Sequence, residues 1–166
     1  MEEKIVDALD SHGARVSCKS NSNQCRVILQ SFESDSLKLY KDIAPDYPRI
    51  FLLEQNDIPS ANFDDISSFA HGVGPDFHFI SKPWIDQAHR RSLLVHPWTL
   101  RQESIYLPAG FTYETTLDQL ISDGIDGIFT DSPGLALSYL QSSGSSYLSL
   151  SIAILFVNIF ILVGII

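Results

Sequence analysis

The stretch Leu93-Leu-Val-His-Pro-Trp-Thr-Leu-Arg-Gln-Glu103 has the pattern of a buried strand that runs out of apolar residues and ends in polar and aromatic ones. Leu93, Leu94 and Val95 form the apolar run. Pro97 cannot donate to a sheet ladder, so regular pairing is expected to stop near it. His96, Trp98, Thr99, Arg101 and Glu103 then fall at or just beyond the strand's C-terminal end. Parallel sheets bind their ligands at that end. An imidazole, an indole, a hydroxyl and a guanidinium in one short span suit stacking on an organic group and holding an anion. An ordinary strand end followed by a solvated loop fits the same residues, and local sequence leaves both readings open.

Outward from this stretch, strands and helices alternate. Glu2 to Ser11 is predicted as an amphipathic helix with Ile5, Val6, Ala8 and Leu9 on one face. Its first-turn acids Glu2 and Glu3 suit the positive end of the helix dipole, and His12-Gly13 can end it. Arg26 to Phe32 reads as a strand, Glu33 to Ile43 as a helix carrying Leu37, Leu39, Tyr40 and Ile43, and Arg49 to Glu54 as a strand. A short helix over Asp64–Phe69, a brief glycine-broken strand over Ala70–Pro75 and a helix over Pro83–Arg91, with Trp84 and Ile85 facing in, lead back to Leu93. Beyond it, Glu103 to Thr115 is a loop. Thr115 or Thr116 is expected to cap a helix that ends at Gly124, and Gly124 to Asp131 is the last strand. Ser132 and Pro133 can start a final helix to Leu140. The alternation means βαβ units and a parallel sheet. Five strands suit either an open doubly wound sheet or the second half of a (β/α)8 barrel, which normally takes about 250 residues.

Composition narrows the function classes. The 166-residue chain is 19% charged, 45% hydrophobic and carries a net charge of −9, with acids spread along its length. No nucleic-acid partner is expected, because that needs clustered Lys and Arg. A small phosphate can still bind through a metal ion or a helix N-terminus. The two cysteines, Cys18 and Cys25, flank a polar loop; they would form a short disulfide in an oxidising compartment and stay free thiols in the cytosol. The opening Met1-Glu-Glu-Lys-Ile reads as a helix start rather than a signal peptide.

The far end differs in character. Residues 142–147 form a small-residue linker, and Leu148 to Ile166 contains no charged residue. Nineteen residues at about 1.5 Å each span roughly 28 Å, close to the thickness of a bilayer's hydrocarbon core. Two membrane readings follow: a C-terminal transmembrane helix, or the signal for a glycosylphosphatidylinositol (GPI) anchor attached at Ser142, Ser143 or Gly144. No basic residue follows Arg101, which favours the lipid signal over a spanning helix. Either way, residues 1–141 would face outside or a lumen.

Four motifs occur in order: Ile28-Leu-Gln-Ser-Phe32, His71-Gly-Val-Gly-Pro75, Leu94 to Arg101 with Glu103, and Gly124-Ile-Asp-Gly-Ile-Phe-Thr-Asp131. Together they resemble the C-terminal half of a glycerophosphodiester phosphodiesterase of the longer, periplasmic and plant-like type, from about Glu2 to Leu140. The resemblance implies the last five βα units of a (β/α)8 barrel. It implies hydrolysis of glycerophosphodiesters to glycerol 3-phosphate and an alcohol, with a divalent cation, Ca2+ or Mg2+. It assigns substrate contacts to Gln30, Phe32, Trp98 and Arg101, with Trp98 packing on the glycerol or alcohol and Arg101 facing the phosphate. Phe32 as a core residue, and Arg101 paired with Glu103 or Glu54, remain alternatives. His71, His78 and His96 are read as structural or surface residues, and Asp131 as an acceptor that fixes the last turn. The family's His-Arg-Gly motif, Glu-x-Asp pair, second catalytic His and Glu-x-Lys strand would all precede Met1. No catalytic or metal-binding residue is therefore assigned here, and the chain is expected to be incomplete and inactive alone. Such a five-strand piece exposes edges and apolar faces, so poor solubility or a need for a partner is expected. A second reading is a non-catalytic, membrane-anchored surface protein that uses the same strands as a binding module. An unrelated open α/β binding protein would require all four motif matches to be coincidence.

Overall fold

The computed structural model describes residues 1–15 and 27–142, and the backbone of 151–154. Cys18, Cys25, Ser143, Gly144 and most of the apolar tail lie outside the described residues. The first helix, α1 (Glu2–Ser11), buries Val6; Ile5 and Leu9 are half-buried, but Ala8, expected on the same face, is exposed. Next come β1 (Leu29–Ser31), α2 (Ser34–Ile43), β2 (Arg49–Leu53), α3 (Phe63–Ile66) and β3 (Gly72–Pro75). They are followed by α4 (Lys82–His89), β4 (Leu94–Val95), α5 (Tyr113–Asp123), β5 (Gly127–Thr130), α6 (Pro133–Ser142) and β6 (Ser151–Ile154). In α2, Leu37 and Tyr40 are buried while Leu39 is exposed. The stripe is therefore narrower than the sequence spacing suggests.

The strands form an α/β fold with a parallel sheet. β1, β2, β3 and β4 pair in that order, with Gln30 opposite Ile50, Phe51 opposite Val73 and Gly72 opposite Leu94. Regular pairing of β4 ends at Val95, as expected beside Pro97. Backbone bonds nevertheless continue the arrangement to β5: Leu100 N donates to Phe129 O (2.8 Å) and Phe129 N to Pro97 O (2.9 Å). Successive strand residues point to opposite faces. Leu29, Leu53, Val73, Val95 and Ile128 belong to a large core shared with the helices. Ile28, Ile50, Leu52 and Phe129 form a separate apolar cluster, with Trp98 packed on it.

The glycines of β3 answer to that second cluster. A Cβ on Gly72 would lie 2.5 Å from Ile50 Cδ1 and 2.6 Å from the Leu94 carbonyl oxygen; one on Gly74 would lie 2.5 Å from Leu52 Cδ2. The glycines therefore do not break this strand, contrary to the sequence expectation. They let it fit between two bulkier neighbours, and all four of its residues are buried. The cap of α5 also differs from expectation. Thr112, not Thr115 or Thr116, is the N-cap: its Oγ1 accepts from Thr115 N (3.3 Å), and Thr115 Oγ1 accepts from Thr112 N (2.8 Å). Gly124 ends the helix with φ 98°, as read from sequence.

The expected apolar C-terminal helix is corrected where the chain is described. Ser151–Ile154 is a strand parallel to β5, from Gly127 opposite Ser151 to Thr130 opposite Ile154. An uncharged apolar run satisfies a sheet edge as well as a bilayer, which is why length and hydropathy alone pointed to a helix. Among the described residues no helix is long and apolar enough to cross a membrane.

Candidate functional site

A cavity of about 260 Å³ opens at the C-terminal ends of the strands. Gln30, Phe32, Leu52, Trp98, Thr99, Arg101 and Phe129 line it. Gln30 shares the face of Ile28 on β1, and its amide oxygen and nitrogen are both buried with no hydrogen-bond partner among the described residues. Buried amide groups are normally paired, so an empty one facing a cavity favours a ligand that pairs it. Phe32 follows β1 and is 39% exposed, so it is not a core residue. Its ring meets Trp98 edge-on, with centroids 5.7 Å apart at 82°. Trp98 is fixed from behind: its indole Nε1–H donates to Gly74 O at 2.6 Å, and its ring rests on the second apolar cluster. The indole is thus oriented before any ligand arrives.

Among the described residues, Arg101 is the one charged residue lining the cavity. Its Nε lies 2.8 Å from Asp131 Oδ2 as an ion pair whose geometry is not that of a hydrogen bond. Its guanidinium sits 4.6 Å from the centroid of the Tyr106 ring. The pairing with Glu103 or Glu54 considered from sequence is therefore replaced by Asp131, at the end of a neighbouring strand. Asp131 in turn does not fix the last turn. Thr130 Oγ1 does so, accepting from Ser132 N at 3.0 Å.

None of His71, His78 and His96 lines the cavity. His71 Nδ1 accepts from Arg49 N at 3.2 Å; burial of the ring and the Arg49 charge lower its pKa. His78 Nδ1 lies 2.8 Å from Asp76 Oδ1, and its Nε2 lies 3.0 Å from Tyr106 O. His96 is fully buried, and desolvation pushes its pKa down to about 4, so it is neutral at pH 7.

Thr99, named from sequence among the polar residues past the strand end, does line the cavity, whereas Leu52, Phe129 and Tyr106 were not singled out from sequence. Leu52 and Phe129 carry a legible mark, because the strand period puts them on the face of Gln30. Tyr106 carries none, since it lies in a short 3-10 turn (Ser104–Tyr106) of the long loop. One Glu-x-Asp triplet does occur, Glu33-Ser34-Asp35, but it opens α2 and both acids are exposed. Among the described residues no group of three or more His, Cys, Asp and Glu can hold a metal ion. The lining can stack an organic group and hold an anion. Among the described residues it contains no carboxylate or imidazole to move a proton.

The model of the glycerophosphoryl diester phosphodiesterase family matches residues 1–135. The chain belongs to that family. A glycerophosphodiester phosphodiesterase of Bacillus subtilis is 29% identical over 138 residues, covering 81% of this chain and 42% of its relative. The glycerophosphodiester phosphodiesterase GDPD6 of Arabidopsis thaliana is 28% identical over 167 residues, covering 84% of this chain and 45% of its own length. The chain thus spans less than half the length of these curated relatives. Among solved structures, a phosphodiesterase of Oleispira antarctica in complex with the product sn-glycerol-3-phosphate shares the fold, with a TM-score of 0.55 and 19% identity over 68% of this chain and 40% of that one.

Proposed function

We propose that this chain supplies one wall of a glycerophosphodiester-binding site, built on the last five βα units of a (β/α)8 barrel. One observation carries the reading. Gln30, Phe32, Trp98 and Arg101, drawn from two segments of the chain far apart in sequence, line one cavity at the strands' C-terminal ends. Family membership supports a phosphodiester as the ligand. In this reading Arg101 offers its remaining N–H groups to a phosphoryl oxygen, where a charge-assisted bond is strongest. Trp98 and Phe32 pack on the glycerol or alcohol carbons, and the Gln30 amide pairs with a hydroxyl.

Cleavage asks for more. A phosphodiester needs its developing charge neutralised and a proton delivered to the leaving oxygen. The family resemblance brings a divalent cation, Ca2+ or Mg2+, which supplies that charge when bound. The described residues do not fit such an ion, for want of a clustered ligand set. In this reading the described residues hold and orient the ligand and do not by themselves hydrolyse it. The same want of proton-transfer groups favours a second reading, in which this chain acts as a non-catalytic binding module. Release of glycerol 3-phosphate from glycerophosphocholine, with Ca2+ or Mg2+ added, tests the assignment. No turnover by this chain is expected, together with saturable binding of glycerophosphocholine. Turnover at an enzyme-like rate would refute the division of labour.

A further inference from the structure

Arg101 is held from two sides, by Asp131 at a strand end and by the Tyr106 ring in the loop. The Tyr106 side is in turn tied to His78. Within the Ser104–Tyr106 turn, Tyr106 N and Leu107 N bond back to Glu103 O (3.0 Å) and Ser104 O (3.3 Å). The contact of His78 Nε2 with Tyr106 O, at 3.0 Å, joins this turn to the one after β3, Phe77–Phe79. His78 stands on a fixed base. Its ring stacks on buried Phe77 with centroids 3.9 Å apart, and Phe77 N donates to the O of cavity-lining Trp98 at 3.2 Å. Its Nδ1 lies 2.8 Å from Asp76 Oδ1, which also accepts from His78 N at 3.0 Å.

Both partners of the ring are acceptors. A carbonyl oxygen and a carboxylate oxygen take hydrogen bonds and offer none, and a neutral imidazole has a single N–H. The two ring bonds therefore coexist only when His78 carries both protons. From this we propose that His78 is a positioning residue of the phosphodiester site: its doubly protonated ring clamps the Ser104–Tyr106 turn to Asp76, which keeps the Tyr106 ring against Arg101, and loss of one proton releases the turn. The proposal rests on the phosphodiester reading of the cavity and adds a dependence on pH to it. The His78 side chain is 39% exposed, so it exchanges protons with solvent, and histidine is the side chain that ordinarily changes charge between pH 5 and 8. The charged and titratable groups along this path are Asp76 in its own turn, Glu103 and Tyr106 in the facing turn, and Arg101 with Asp131 beyond it. The Asp76 carboxylate offsets the repulsion between the imidazolium and Arg101.

Calorimetric titration of glycerophosphocholine into the full chain, from about pH 5.5 to about pH 8, is the test. The ligand has no group that titrates in that range, and His96, with its pKa pushed down to about 4, stays neutral across it. Affinity is expected to fall about fivefold as pH rises, the effect of about one hydrogen bond. His78→Gln is expected to flatten the profile at the weaker, high-pH affinity. Tyr106→Leu keeps the backbone carbonyl and removes the ring, and it too is expected to flatten the profile. A pH dependence that survives Tyr106→Leu would mean that the imidazolium acts on the ligand by charge alone, and it overturns the clamp. A His78→Gln profile parallel to that of the unsubstituted chain overturns it as well. Ring-nitrogen magnetic resonance of the unsubstituted chain, at one fixed pH near neutrality, gives a reading that needs no variant. By reciprocity, adding ligand is expected to raise the doubly protonated fraction of His78, and an unchanged fraction contradicts the proposal. Binding that is independent of pH overturns the clamp alone, whereas no binding at any pH overturns the phosphodiester reading and the clamp with it.

Discussion

At the scale of single residues, the polar groups of the inner face divide into those a ligand can use and those that serve the fold. Gln30 and Arg101 reach the cavity; His96 does not, and its neutral state has a stability consequence. Its folded pKa of about 4 lies below the ordinary 6.5, so between those values the unfolded chain binds the extra proton. Stability from this group is therefore full above pH 6.5 and is lost as pH falls toward 4, by up to about 3 kcal/mol for a shift of this size. Replacing His96 with Leu removes this contribution. Denaturant midpoints of the two proteins are expected to converge or cross as pH drops from 7 to 4, and parallel curves would contradict a buried neutral imidazole. Arg101 shows where sequence stops being informative at this scale. Its place past a strand end was legible from Pro97 and the apolar run. Its partner was not, because Asp131 comes alongside only when β5 docks thirty residues later.

At the scale of elements, the β3 glycines are the tightest constraint. Gly72→Ala puts a methyl group against the Leu94 carbonyl, which is backbone and cannot swing aside as a side chain can. We expect a loss of about 2–3 kcal/mol, typical of overpacking in a well-packed core, read as a lower denaturant midpoint with unchanged slope. An unchanged midpoint would mean that β3 and β4 are not held at this spacing. Most of the α/β order was legible because strand and helix periods differ and because Pro and Gly punctuate the chain. The errors fell where several residues of one chemistry sit together. Thr112, Thr115 and Thr116 all carry a hydroxyl able to cap, and only the backbone turn at Thr112 selects among them. Glycines in a strand read as breaks when taken alone; the reason for them, Ile50 and Leu52 on the next strand, is a tertiary fact.

At the scale of the whole molecule, the sheet has a helix-covered face and a second face that carries the cavity. Leu94 in β4, at 41%, and Phe32 just after β1, at 39%, are exposed. Strand β5 has one neighbour on each side. Phe129 and Asp131 donate to Pro97 and Leu100, so the alternate amides of Ile128 and Thr130 face β6. Truncation after Ser142 is expected to speed hydrogen exchange at Ile128 and Thr130 at least about tenfold and to spare Phe129. Unchanged protection would remove the tail from the sheet and return it to the membrane reading, in which Ser142, Ser143 or Gly144 carries a lipid; pairing with β5 and removal of the tail as an anchor signal exclude each other. The central claim is that the cavity holds the phosphoglycerol group. A nitrogen-resolved magnetic resonance titration with glycerol 3-phosphate tests it most directly, because the molecule carries its own control. Trp98 lines the cavity, whereas the Trp84 indole donates to Ile58 O on the far side of the sheet. The account predicts a saturable shift of the Trp98 indole signal, lost in Arg101→Gln, with Trp84 unmoved; a silent Trp98, or equal shifts of both, would contradict it.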